Sequence, residues 1–75
     1  MDIQVKCYAT LARHQPRNGE QFSVEPGTSV GDLVGLLGIT PEAVKVSFVN
    51  GKHVDQDCVV SEGDRVAFFP AVGGG

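Results

Sequence analysis

Three consecutive glycines, Gly73-Gly74-Gly75, stand at the end of the sequence, and the chemistry they offer is that of a bare backbone carrying a carboxylate. Glycine contributes nothing to a core and loses more conformational freedom on ordering than any other residue. What it provides is chain without side chains, able to lie against another surface at close range. The expected chemistry is acyl transfer: the tail enters a partner's narrow active site, and the Gly75 carboxylate is the reacting group. A carboxylate is a poor acyl donor until a leaving group is attached, and Gly75 has no Cβ to obstruct attack at its carbonyl. From Val72 to Gly75 an extended chain spans roughly 13 Å at about 3.3 Å per residue. That reach places the carboxylate inside a covered pocket while a folded body stays outside. Against this stands the ordinary fraying of chain termini, which gives a glycine tail no role at all.

The remaining reactive side chains form no competing constellation. Cys7 alternates with polar neighbours in Ile3-Gln4-Val5-Lys6-Cys7-Tyr8, which puts it on the apolar side of a strand as a small hydrophobe. Cys58 lies in a polar stretch with no adjacent positive charge to lower its pKa. Two cysteines fall short of the four thiolates of a ferredoxin-type cluster, and they are too few for a disulfide scaffold. His14 and His53 share no metal-ligand spacing with each other or with the cysteines. Asp55, Asp57 and Glu62 do not meet the calcium-loop pattern and read as solvated turn acids. No metal and no bound cofactor is expected, and no serine–histidine–aspartate or phosphate-loop motif occurs.

Composition bounds the rest. A chain of 75 residues makes one domain, expected to span residues 1–70 with a tail at 71–75. At 41% hydrophobic and 20% charged it is globular in character. Nine acidic and six basic side chains give a net charge of −3, and no two Lys or Arg are adjacent. A nucleic-acid footprint needs a basic patch, so none is expected; mild acidity suits a basic groove on a protein partner. No apolar run reaches membrane-spanning length, and Met1-Asp2-Ile3-Gln4 enters a strand pattern directly. The expected compartment is the cytoplasm, where both thiols stay reduced.

The elements that must position the tail follow from periodicity. Residues 3–8 alternate as a half-buried strand, and residues 21–25 alternate again around Phe22 and Val24. With Asn18-Gly19 as a tight-turn signal, the two read as an antiparallel hairpin with a long polar loop. Pro26-Gly27 breaks the second strand. Ser29 then caps a helix with Asp32 three residues on, and Val30, Leu33, Leu36 and Leu37 are assigned to its buried face. Gly38 is suited to its C-terminal cap. Thr40-Pro41-Glu42 starts one short turn. Val46 to Val49 is a strand, Asn50-Gly51 the strongest hairpin signal, and His53-Val54 begins the return arm. After a turn at Ser61-Glu62-Gly63-Asp64, Arg65 to Pro70 forms the last strand, with Phe68 inward and Phe69 on the opposite face beside the tail. Aromatic residues are enriched at interfaces, which makes Phe69 a candidate for partner docking, with packing in a second apolar cluster as the alternative. The order implies an α+β mixed sheet of four to five strands with one main helix across it.

This order, together with Val49-Asn50-Gly51, then Glu62-Gly63-Asp64-Arg65-Val66-Ala67-Phe68-Phe69-Pro70 and the final glycines, resembles the ubiquitin-like sulfur carriers of the MoaD/ThiS family. The likeness covers nearly the whole chain. The acidic-Gly-Asp turn and the strand ending in Phe-Phe-Pro are most similar to the small subunit of molybdopterin synthase. Ala71 stands where that group often has a second proline, and Ala71-Val72-Gly73-Gly74 is closer to the thiamine-pathway carriers. The tail has three glycines rather than two, and the loop from Thr10 to Gly19 is short for the molybdopterin group.

The resemblance implies a β-grasp fold with a flexible C-terminal tail. It implies that an E1-like adenylating enzyme uses ATP to adenylate the Gly75 carboxylate, and that sulfur then converts the mixed anhydride to a thiocarboxylate. The carrier itself needs no acid, base or metal; its acceptor is the molybdopterin synthase large subunit or another sulfur-accepting enzyme. Phe69, Pro70, Val72, Gly73 and Gly74 become the partner-binding residues. Three other roles stay open: a carrier for thiamine or another sulfur-containing metabolite, a ubiquitin-like modifier conjugated through Gly75, and an interaction module with an inert tail.

Overall fold

The computed structural model describes residues 1–71. The first strand, β1 (Asp2–Cys7), alternates as the sequence does, with Ile3, Val5 and Cys7 buried and Gln4 and Lys6 exposed. Its hairpin partner β2 is only Phe22–Ser23, paired antiparallel with Asp2 and Ile3. The loop between them is not built around an Asn18-Gly19 hairpin turn. It contains 3-10 turns at Ala9–His14 and Gly19–Gln21, and Leu11 from the first of these is buried in the core. Gly19 itself is buried, and a Cβ there would collide with Gln15 Nε2 and crowd the Val5 carbonyl at 2.8 Å. The glycine is required by close packing rather than by turn conformation. Gln15 explains the crowding: its Nε2 donates to the Val5 carbonyl (2.8 Å) and its Oε1 accepts from Cys7 N–H (2.7 Å). One side-chain amide thus takes the place of a missing strand along β1, satisfying backbone groups that an open edge would leave unpaired.

The helix α1 (Val30–Leu36) begins with a complete capping box: Ser29 Oγ accepts from Asp32 N–H and the Asp32 carboxylate accepts from Ser29 N–H, both at 3.0 Å. Two further N-terminal amides are satisfied from far along the chain, Val30 N–H by the Cys58 carbonyl and Gly31 N–H by the Gln56 carbonyl, each at 2.8 Å. The helix stops at Gly38, which adopts φ 75, as a left-handed cap requires. Ser29→Ala is expected to cost about 1 kcal/mol, read as a lower urea midpoint with unchanged slope.

The buried face of α1 differs from the expected one in one residue. Val30, Leu33 and Val34 are fully buried and Leu37 packs against the core, whereas Leu36 is 64% exposed. At about 100° per residue, the first four positions fall within roughly a 100° arc, and Leu36 lies about 60° outside it.

The rest of the sheet follows from one hairpin and one crossover. β3 (Val44–Val49) turns through Asn50-Gly51 into the short edge strand β4 (Lys52–Val54). Asn50 and Gly51 have φ 53 and 81, the paired positive values of a two-residue hairpin turn. β5 (Arg65–Pro70) then inserts between β1, to which it runs parallel, and β3, to which it runs antiparallel. The sheet order is β2-β1-β5-β3-β4. The helix covers one face, where Val30, Leu33 and Val34 meet Ile3, Val5, Val66 and Phe68 in a single core. The expected mixed sheet with one main helix is therefore present, with five strands.

Candidate functional site

The last strand is also the best anchored. β5 has hydrogen-bonded neighbours on both sides, and the pairing runs to its end, where Pro70 stands opposite Val44. Beyond it, Ala71 N–H donates to the Ala43 carbonyl at 3.2 Å. Ala43 belongs to the 3-10 turn Pro41–Ala43, placed by the proline at its first position. Thus the backbone is held to Ala71 by a central strand and one further bond. Val72, Gly73, Gly74 and Gly75 lie outside the described residues, as does the expected tail beyond Ala71.

Around this exit the sheet presents aromatic surface. Phe68 points inward and is fully buried; Phe69 is half-buried on the opposite face. Phe69 stacks on Tyr8, with ring centroids 4.4 Å apart and planes 3° from parallel, and meets Phe48 edge-on at 5.6 Å. Phe48 and Phe69 line a shallow apolar hollow beside the exit, together with Ala9, Val46, Pro70 and Ala71. Tyr8 was not singled out by the sequence reading. The signal was its place one residue past β1, in step with that strand's polar phase, which sets it beside Phe69 once β1 and β5 pair in parallel.

Phe69 therefore serves the body as well as offering a surface. Truncation to alanine removes two aromatic contacts worth about 0.5–1.5 kcal/mol each, less than the loss of a core phenylalanine. Phe69→Ala is expected to stay folded and to bind a partner less well. A collapse of the melting transition with affinity intact would remove Phe69 from the docking surface.

The other reactive groups are placed elsewhere. Cys7 is buried, and burial pushes its thiol above the ordinary range, opposed in part by the charge of Lys6. A raised pKa disfavours the thiolate that nucleophilic chemistry requires. Cys58 is half-buried against the core, and its carbonyl is engaged by the helix. His14 donates through Nδ1 to the Leu37 carbonyl at 3.1 Å, tying the 9–14 turn to the helix end. His53 packs at a tilt against Phe48 on the edge strand. Glu62 accepts from Asp2 N–H, and Asp64 accepts from Ser61 N–H and Asn50 Nδ2. Among the described residues, no group of three or more His, Cys, Asp or Glu is arranged to hold a metal ion. None of their helices is long and apolar enough to cross a membrane.

Two solved structures share the fold. SAMP1 from Haloferax volcanii superposes with a TM-score of 0.69 at 23% identity, with all of both chains covered. A structure of small archaeal modifier protein 1 from H. volcanii gives 0.69 at 21% identity, covering 93% of this chain and 97% of that one. Curated protein sequences yield no match. The sequence model of the ThiS family matches residues 5–75, from within β1 through the tail. With the ubiquitin-like β-grasp sheet, its central last strand and the glycine end inside that match, the chain belongs to the ThiS family.

Proposed function

We propose that the protein is a sulfur carrier whose Gly75 carboxylate is adenylated and then converted to a thiocarboxylate, and that the sulfur is destined for molybdopterin, the organic part of the molybdenum or tungsten cofactor. The observation that carries this reading is the ThiS-family match extending through the glycine end. The delivery of the chain to that end by the doubly paired strand β5 supports it. In the first step a Gly75 carboxylate oxygen attacks the α-phosphorus of ATP on an E1-like adenylating enzyme, and pyrophosphate leaves. In the second, a sulfide-level nucleophile attacks the Gly75 carbonyl carbon and AMP departs with the electron pair of the broken C–O bond. The carrier supplies position and reach; acid, base and ATP-binding groups belong to the activating enzyme, so no bound cofactor is required of the carrier.

The preference for molybdopterin over thiamine as destination rests on the Glu62-Gly63-Asp64 turn and Phe68-Phe69-Pro70. The corresponding acceptor is the large subunit of molybdopterin synthase. A thiamine-type carrier would bind a thiazole-forming enzyme instead, so binding to one or the other decides the destination. A second reading, conjugation through Gly75 to lysines of target proteins, draws on the fold shared with structures named as small archaeal modifier proteins. It predicts a ladder of higher-mass conjugates that disappears with Gly75.

Intact-mass spectrometry after incubation with an E1-like adenylating enzyme, ATP and a sulfide donor tests the common step. A gain equal to the exchange of one oxygen for sulfur, localised to Gly75, supports the carrier. An unchanged mass with enzymes proven competent on their own carriers overturns it.

A further inference from the structure

Asparagine followed by glycine modifies itself more readily than other asparagine pairs, because glycine has no Cβ to shield its own nitrogen. The sequence holds this pair twice, at Asn18-Gly19 and Asn50-Gly51. In the reaction the glycine nitrogen attacks the asparagine Cγ. A C–N bond forms there, the bond to the side-chain nitrogen breaks, and that nitrogen leaves as ammonia with the proton from the glycine N–H. Water then opens the succinimide at one carbonyl or the other, giving aspartate or isoaspartate. Nothing is oxidised or reduced. The step needs a side chain free to swing over the next peptide nitrogen, and a nitrogen with open space around it.

The two pairs are closed in different ways. Asn18 is exposed, and its side chain makes no cap to the turn that follows it. Its neighbour is the obstacle: Gly19 is buried, its N–H donates to the Pro16 carbonyl at 3.2 Å, and Gln15 and the Val5 carbonyl crowd its Cα. A ring built on that nitrogen requires the loop itself to open. At Asn50 the obstacle is on the other partner. Asn50 and Gly51 are both exposed at the tip of the β3–β4 hairpin, and nothing lies within 4 Å of a Cβ placed on Gly51. Here it is the side chain that is held. Asn50 Oδ1 accepts from Arg65 N–H and Asn50 Nδ2 donates to Asp64 Oδ1, each at 3.0 Å. Asp64 is fixed in turn, its Oδ2 accepting from Ser61 N–H at 2.7 Å. Both ends of the amide are thus engaged by the start of β5 rather than by the hairpin tip.

We propose that Asn50 is a latent deamidation site held closed by the Asp64 carboxylate, and that its conversion to aspartate or isoaspartate loosens the end of the sheet remote from the chain exit. Release requires only two exposed hydrogen bonds to break, whereas Asn18 waits on the opening of a packed loop. The product cannot remake the lost bond. In an aspartate the atom facing Asp64 Oδ1 is a carboxylate oxygen, which has no proton to donate and brings like charge to hydrogen-bonding distance. Isoaspartate adds a backbone atom to a turn whose paired φ values of 53 and 81 set the register of β3 against β4. Neither residue belongs to the tail, so the site is independent of the carrier reading.

The test incubates the full chain and its Asp64→Ala variant in warm, mildly alkaline buffer. Peptide mass spectrometry follows the exchange of NH for O at each asparagine, and an isoaspartate methyltransferase assay reports the isomer. In the parent, modification is expected at Asn50 ahead of Asn18. Asp64→Ala is expected to raise the rate at Asn50 about tenfold, the effect of taking one hydrogen bond out of the barrier to release, and to leave Asn18 unchanged. Equal acceleration at both sites would mean that unfolding of the whole chain controls the reaction, and would overturn the proposal; so would faster modification of Asn18 in the parent. The product is read with Asn50→Asp, expected to lower the urea midpoint at unchanged slope. The double variant Asn50→Asp/Asp64→Asn exchanges donor and acceptor across the same contact and is expected to recover the midpoint. A midpoint unchanged by Asn50→Asp, or not recovered in the exchanged pair, would refute the loosening by like charge.

Discussion

Removing Gly75 alone is expected to abolish the ATP-dependent gain of sulfur while leaving the folded body as stable as before, within about 0.5 kcal/mol. The reason is reach. Deletion leaves a glycine carboxylate, that of Gly74, so the chemical type of the end is unchanged. Its position is drawn back by about 3.3 Å, and misplacement of a reacting atom by about 1 Å already costs on the order of a hundredfold in rate. Because β5 is fixed by strands on both sides and Ala71 by the Ala43 carbonyl, the body has no slack upstream from which to restore the lost length. The measurement is a pair of intact-mass time courses, full-length and truncated, with melting curves on both. A truncated chain that acquires sulfur at Gly74 at the full-length rate would show that reach is not limiting and would sink this account of the tail.

Phe68→Ala should have the opposite signature. Phe68 is fully buried, the largest such side chain in the core, at the centre of a central strand. Truncating a buried phenylalanine costs about 3–5 kcal/mol, through lost transfer free energy and the cavity left behind. A domain below about 80 residues seldom holds more than about 3–5 kcal/mol from a single core. The variant is therefore expected to be largely unfolded at 25 °C, with loss of the near-ultraviolet circular dichroism of Tyr8 and a urea transition displaced to near zero. A variant with a cooperative transition close to that of the parent would mean the core is held by something other than this residue. Set beside Phe69→Ala, which is expected to retain a cooperative fold, the pair separates adjacent residues into body and surface.

Much of this is legible in the sequence. Alternation located β1 and β5 because one face of each strand meets the core, and the turns at Gly38 and Asn50-Gly51 were legible because few residues tolerate positive φ, whereas Asn18-Gly19 misled because its glycine answers to packing. The capping box of α1 was readable because both its residues lie within one turn. The final glycines, and the resemblance they completed, pointed to the family that the match over residues 5–75 supports. All of these signals are local, or are patterns of residue type that survive without knowledge of neighbours.

What the tertiary structure alone decided is who lies beside whom. Gln15 looked like one polar loop residue among several, and it fills an edge of β1 only because the 9–14 turn folds back over that strand. The amides opening α1 are closed by Cys58 and Gln56, some 25 residues later, in a stretch that read simply as polar. Leu36 was misplaced because its spacing from Leu33 suggested a shared face, whereas the contact arc of so short a helix, set by the sheet beneath it, leaves that position in solvent. The nearness of Lys6 and Arg65 on the outer sheet face was invisible for the same reason. Lys6, Arg17 and Arg65 are far apart in sequence, and it takes the parallel pairing of the first and last strands to bring Lys6 and Arg65 into adjacent rows of one surface. Local hydrogen bonding and hydrophobic period are properties of a few consecutive residues; a docking surface is a property of register between strands, and it exists only after the chain has closed on itself.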